Sequence, residues 1–205
     1  MNPSAPQPHT PTRDEALALL REFNRSASLL NHALAVEAVM RRMARSAGAD
    51  EDTWGLAGLL HDLDYESFPE QHCRKAAEIL AERGWPEWLI RAVQSHGWGI
   101  CSEVEPRSDL EKTLFAVDEL TGFAVACALV RPSRSVCDLE VSSVRKKWRQ
   151  KSFAAGADRA LIERGAALLG IELDSLIGEV ILGLRDVADA IGLGMRPPQP
   201  NPETP

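Results

Sequence analysis

Histidine and aspartate stand side by side at His61-Asp62, directly after the apolar run Trp54-Gly-Leu-Ala-Gly-Leu-Leu60. Residues that follow such a run are carried inward with it, and a buried carboxylate beside an imidazole is costly unless a positive charge sits between them. A metal ion is the simplest such charge. Further donors lie at helical spacing. Leu29, His32, Val36, Val39 and Met43 follow the rhythm of an amphipathic helix, which puts His32 on its inward face. A hydrogen-bonded core histidine is the plain alternative there. Leu114, Asp118, Thr121 and Val125 trace a second stripe, and an ionised Asp118 among Phe115, Ala116, Val117 and Leu120 needs a cation or several donors.

His32, His61, Asp62 and Asp118 are two imidazoles and two carboxylates on three separate helices. A nitrogen and oxygen set without thiolate suits Mn, Fe, Co, Ni or Zn, with Mg admitted, better than a Cys-rich structural zinc site. Four protein ligands leave positions open on an octahedral ion, and catalysis needs open positions. His72 and His96 fall at the expected start of a fourth helix and end of a fifth. Each reads equally as a helix-terminal surface residue or as a ligand; if both face inward, Asp62 bridges two ions and these histidines serve the second. Asp64, Glu66 and Glu119 adjoin the ligands and could orient a water, with surface charge as the plainer reading. The string Arg145-Lys-Lys-Trp-Arg-Gln-Lys151 is the strongest basic cluster in the chain. Lys146 and Lys147, with Arg25, are candidate phosphate contacts, and Trp148 could stack on a base. A solvated helix face with Trp148 packed beneath it explains the same string.

The elements that must position these groups are helices. Ala and Leu dominate, and aromatics make up only 5% of the 205 residues. Capping boxes at Thr12/Glu15 and Ser108/Glu111 open two helices, and Gly48, Gly84 and Pro132 close others. Helices are expected at 28–46, 51–61, 70–83, 86–97, 108–130, 142–150, 155–169 and 173–191, after a first one opening near Pro11. The fold class is all-α in one domain, with a core over 24–130 and an appended set of C-terminal helices over 142–194. Residues 1–12 and 195–205 are dense in Pro and polar residues and read as disordered tails.

A formal net charge of −7 argues against nucleic acid or an anionic membrane surface as a general partner. No stretch approaches the roughly 18 apolar residues that span a bilayer, and no signal peptide is read at the start. The four cysteines (Cys73, Cys101, Cys127 and Cys137) form no CxxC and read as reduced thiols filling core positions in a cytoplasmic protein.

The order His32, His61-Asp62, His72, His96, Asp118 resembles the HD superfamily of metal-dependent phosphohydrolases. So do the strings Asn31-His-Ala-Leu-Ala-Val-Glu37, Ala57-Gly-Leu-Leu-His-Asp-Leu63 and Ala116-Val-Asp-Glu-Leu-Thr-Gly122. The resemblance covers residues 24 to 130. It implies an HD-type helical bundle with a buried site held by His32, His61, Asp62 and Asp118, His61 and Asp62 being the catalytic pair. Members with histidines at the positions of His72 and His96 are similar to two-metal enzymes. The implied substrate is a small phosphomonoester or phosphodiester of nucleotide-like character, and basic strings like 145–151 follow the core in close relatives. A second copy of the chain is a further candidate partner. Some relatives are instead di-iron oxygenases and others inactive binding modules, and both stay open as alternatives. The chain lacks the Gly-Tyr-Pro triplet expected of cyclic dinucleotide phosphodiesterases.

Overall fold

The computed structural model describes residues 11–195, so the expected tails, apart from Pro11, Thr12 and Met195, lie outside the described residues. Helices follow in the order α1 (Arg13–Phe23), α2 (Ala27–Ala47), α3 (Glu51–Leu60), α4 (Arg74–Glu82), α5 (Glu87–Ser95), α6 (Asp109–Leu129), α7 (Val141–Trp148), α8 (Arg159–Leu169) and α9 (Leu173–Asp186), with a single 3-10 turn at Pro69–Gln71 before α4. Among the described residues no strand forms; one isolated bridge pairs Trp98 with Ser102. The all-α reading holds, and both capping boxes are present as hydrogen-bonded pairs.

Three boundaries differ from expectation. The chain does not enter α4 at Glu70: it leaves the 3-10 turn at His72 and takes φ 66° at Cys73, so His72 sits in the junction. Helix α8 starts at Arg159 because Asp158 accepts the N–H groups of Ala160 and Leu161. Helix α9 ends at Asp186, ahead of Ile191.

Helix α3 is the central element, every residue from Trp54 to Leu60 being buried. It lies so close to α2 that a Cβ on Gly58 would stand 2.9 Å from the Val36 carbonyl oxygen and 3.0 Å from the Glu37 Cα. Only glycine allows that crossing without a backbone shift. Helix α6, buried along most of its length, meets α8 in the same manner at Gly165 against Ala116. The C-terminal helices are not peripheral. Val144, Ile162, Ala166, Leu176, Ile177, Val180, Ile181 and Leu184 belong to the same contiguous buried cluster as Val36, Leu59 and Leu120. Helix α9 packs on α2 and α8 on α6, so they clamp the two helices that carry His32 and Asp118.

The segment after α3 is tied to the end of α1. Buried Asn24 donates to the Leu63 carbonyl at 2.7 Å, and Ser67 donates to the Phe23 carbonyl at 2.6 Å. Glu66 accepts the N–H groups of Arg25 and Ser26, at the opening of α2. These bonds hold α3's end against the start of α2, which brings His61 to His32.

Candidate metal centre

His61 is the last, C-capping residue of α3, and His96 holds the same position on α5. A helix end leaves carbonyls without intrahelical partners. Each histidine takes one three residues back: His61 Nδ1 lies 2.7 Å from the Gly58 oxygen, and His96 Nδ1 bonds the Val93 oxygen. A carbonyl only accepts, so both Nδ1 atoms carry the hydrogen. His72 Nδ1 donates to Asp64 Oδ1 at 2.8 Å, while Asp64 Oδ2 accepts the Ala76 N–H at 2.8 Å in the first turn of α4. A neutral ring so bonded presents Nε2 as a bare lone pair. In three of the site's rings Nδ1 is thus fixed as the donor.

Those lone pairs converge on Asp62. Its Oδ2 lies 3.3 Å from His61 Nε2 and 3.9 Å from His32 Nε2, and Asp118 Oδ1 stands 3.2 Å and 2.9 Å from the same two nitrogens. Asp62 Oδ1 lies 3.4 Å from His72 Nε2 and 3.6 Å from His96 Nε2. The carboxylate therefore divides its oxygens between two groups of imidazoles. His32, His61, Asp62 and Asp118 form one; His72 and His96 form the other. All six expected ligands come together.

The polarity of this cluster is what a cation would relieve. His61 Nε2 is fully buried and, among the described residues, has no hydrogen-bond partner. His72 Nε2 and His96 Nε2 face each other at 3.2 Å, acceptor against acceptor. Such contacts are repulsive unless a positive charge lies between the atoms. His32, His61 and Asp62 each offer one ligand atom within 4.8 Å of the others, and so do His72, Cys73 and His96. With protons alone to do the work, burial pushes the His61 imidazole down but Asp62 and Asp118 outweigh it and raise it well above the usual histidine range. Burial likewise pushes Asp62 and Asp118 up, and the charges on His61 and its neighbours overcome this and hold both well below the carboxylate range. A divalent ion replaces those protons with a stronger charge at the same lone pairs.

The cluster forms the floor of a cavity of about 510 Å³. Its walls include Leu29, Phe115, Phe123, Leu161 and Tyr65, and among the described lining residues none is Lys or Arg. Glu119 also lines it, and burial together with the charge on Asp118 pushes its carboxyl up to about 7.

The proposed phosphate contacts are elsewhere. Lys146, Lys147 and Arg25 do not line this cavity. Trp148 stacks edge-on against Phe123 and is packed on the core, and the Lys147 ammonium lies 4.8 Å over the Phe153 ring. Arg25 meets Glu66 through its backbone N–H. The basic string is thus a helix face with its tryptophan beneath. Two further expectations are corrected. Asp64 is not surface charge: it is 0% exposed and orients His72. Of the four cysteines, Cys73 and Cys127 are buried, but Cys101 and Cys137 are exposed and fill no core position. Asp64 was legible only by its place two residues beyond the ligand Asp62; its partner His72 is eight residues on, across a break no helical pattern announces.

No helix of the described residues is long and apolar enough to cross a membrane. No solved structure matches the chain. The family model for the HD domain matches residues 29–122, an interval that includes every one of the six clustered ligand residues. The HD domain is the mark of a superfamily of metal-dependent, hydrolase-type proteins, and the His/Asp groups described above are those able to hold the metal. Residues 29–122 of the chain thus form an HD domain.

Proposed function

We propose that this protein is a metal-dependent phosphohydrolase acting on a small, nucleotide-like phosphate ester. The observation that carries the reading is Asp62, whose two oxygens each face a separate set of imidazole lone pairs at the floor of an open cavity. His32, His61, Asp62 and Asp118 would hold one divalent transition-metal ion, and His72, His96 and Asp62 a second. Bound there, such ions supply an acidified water and a positive field for the phosphoryl oxygens.

The chain's own groups do the rest. The Gly58 and Val93 carbonyls and the Asp64 carboxylate keep the Nδ1 hydrogens in place, so each Nε2 stays available. Because among the described residues no Lys or Arg lines the cavity, the negative charge of a phosphate is best offset at the floor, which orients the ester with its phosphorus toward Asp62. The organic part then lies against Phe115, Phe123, Leu29 and Leu161, a wall suited to a base or another flat apolar group.

The test is metal analysis of the purified protein followed by a panel of nucleoside mono- and diesters with Mn, Co, Ni, Zn, Fe or Mg added back. Ester hydrolysis, read as phosphate from a monoester or as a monoester from a diester, that depends on one of these ions and is lost in Asp62→Ala supports the reading. Metal uptake without hydrolysis of any ester refutes it. The lack of cationic side chains among the described lining residues also favours a second reading, a di-iron oxygenase acting on an uncharged substrate. Bound iron with dioxygen consumption and no ester hydrolysis would single that reading out.

A further inference from the structure

Two cysteines far apart in sequence meet beside the second group of imidazoles. Cys73 Sγ and Cys101 Sγ stand 2.7 Å apart, about 0.7 Å beyond the roughly 2.05 Å of a disulfide. The backbone is arranged to bring them there. Cys73, the residue after His72, holds φ 66° at the entrance to α4, a left-handed conformation uncommon for a residue with a side chain. Cys101 ends a tight turn after His96, in which the N–H groups of Ile100, Cys101 and Ser102 all reach the Gly97 carbonyl. Gly97 is the residue that makes room: a Cβ built on it would overlap both sulfurs. The Arg164 guanidinium stacks 3.6 Å over the Trp98 ring and fixes the outer side of the turn.

The two thiols differ in access. Cys101 is exposed and lines the cavity, whereas Cys73 is 0% exposed. Neither is needed to complete the two groups of histidines and aspartates. Proximity of one accessible sulfur and one buried sulfur is the arrangement of an attacking and a resolving thiol.

We infer that Cys73 and Cys101 form an oxidisable dithiol in the wall of the metal cavity, which a hydroperoxide converts to a disulfide. A lone pair on the Cys101 sulfur attacks the terminal peroxide oxygen, the O–O bond breaks, and the alcohol or water leaves with the Cys101 thiol proton. The product is a sulfenic acid on Cys101. The Cys73 sulfur then attacks that sulfur, the S–O bond breaks, and the hydroxyl leaves as water with the Cys73 proton. Two thiols are oxidised by two electrons and one peroxide is reduced. The new bond joins the residue after His72 to the turn after His96, so it pins the cavity wall where both segments enter.

The experiment treats the purified, metal-loaded protein with hydrogen peroxide, alkylates the remaining thiols under denaturing conditions, and maps the peptides by mass. Free thiols are expected to fall from four to two, with a linked pair of peptides carrying Cys73 and Cys101 that is lighter by two hydrogen atoms than the reduced pair. Dithiothreitol restores both. Cys137→Ser leaves the linkage unchanged, and Cys101→Ser leaves Cys73 free. The inference is overturned if Cys73 and Cys101 are both recovered alkylated after the exposed Cys137 has been consumed. It is equally overturned if the linkage forms only after a chelator has stripped the protein, because the sulfurs are then metal ligands. Mapping of the native chain decides the matter even if Cys101→Ser does not fold.

Discussion

Asp64→Asn tests whether the buried carboxylate behind His72 fixes the ring's protonation. Asp64 accepts two bonds of 2.8 Å, from His72 Nδ1–H and from the Ala76 N–H, and is 0% exposed. Asparagine keeps one accepting oxygen and replaces the other with a donor. The Ala76 N–H is among the amides at the start of α4 with no intrahelical partner, and Cys73 gives it no side-chain cap, so the amide oxygen goes to it. The amide NH₂ then faces His72 Nδ1. The ring answers by moving its hydrogen to Nε2, where it points at His96 Nε2, 3.2 Å away, and blocks the second ion. To bind that ion the variant must return the hydrogen to Nδ1 and set donor against donor in a dry site, a cost of about 1–3 kcal/mol. At about 1.4 kcal/mol per tenfold, that weakens the second ion by roughly 5- to 150-fold, which overlaps the 10- to 100-fold typical of groups that orient a metal ligand. The first ion, held by His32, His61, Asp62 and Asp118, should keep its affinity. Calorimetric titration of stripped protein with Mn or Zn separates the two, and circular dichroism checks that the helices persist. An Asp64→Asn protein that binds two ions as tightly as the parent would refute the reasoning.

Asp62→Ala removes the carboxylate shared by both groups of imidazoles, so metal content after dialysis should fall for both ions; a variant with unchanged content would show that Asp62 is no ligand. Lys146→Ala with Lys147→Ala should leave KM for any hydrolysed ester unaltered, since neither lysine lines the cavity; a raised KM would return the basic string to the substrate site. Glu119→Gln acts through pH in metal-stripped protein. The folded carboxyl titrates at about 7, above its ordinary 4.5, so its favourable contribution is complete below pH 4.5 and is lost as pH rises through 7. The variant should therefore gain in Tm over the parent at pH 8 and show little difference at pH 4, as scanning calorimetry would read; an equal gap at both values contradicts the assignment. Gly58→Ala should destabilise by about 1–3 kcal/mol in urea unfolding, because the new Cβ meets the α2 backbone and cannot be relieved by a rotamer change; a neutral result would mean that α2 and α3 separate freely.

The helical frame was legible because its signals are local. Thr12/Glu15 and Ser108/Glu111 satisfy amides three residues away, and the stripes through His32 and Asp118 repeat within one helix. The inward direction of those two ligands followed from the same periodicity. What the sequence concealed lies in non-local partners. The burial of Asp64 depends on His72 and Ala76, brought to it by the break at Cys73, and a positive φ at a residue with a side chain has no local signature. The packing of α8 and α9 on the ligand helices is set by contacts between Gly165 and Ala116 and between α9 and α2, which no spacing rule reveals. Charge density could not place Lys146 and Lys147, because a basic run states what a helix face carries and not which cavity it borders.

His61 and His96 share one device. Each closes a helix, α3 or α5, and each spends its Nδ1 hydrogen on a carbonyl three residues back. This does three things together. It satisfies a carbonyl that the helix end leaves unpaired; it fixes the tautomer; and it aims Nε2 along the continuation of the helix. The negative end of each helix dipole also lies behind the ring, which favours positive charge at the far nitrogen. A histidine in mid-helix has no free carbonyl of this kind: His32 meets its fellow ligand Asp118 through Nε2 itself, whereas His72, in the break before α4, gives its Nδ1 hydrogen to Asp64. Carbonyl-bonded rings belong to rigid helix ends, whereas a carboxylate-bonded ring depends on a partner that substitution can remove. The second group of imidazoles mixes the two kinds. Its His72 half is the weaker one, so at Asp64→Asn the second ion should leave before the first.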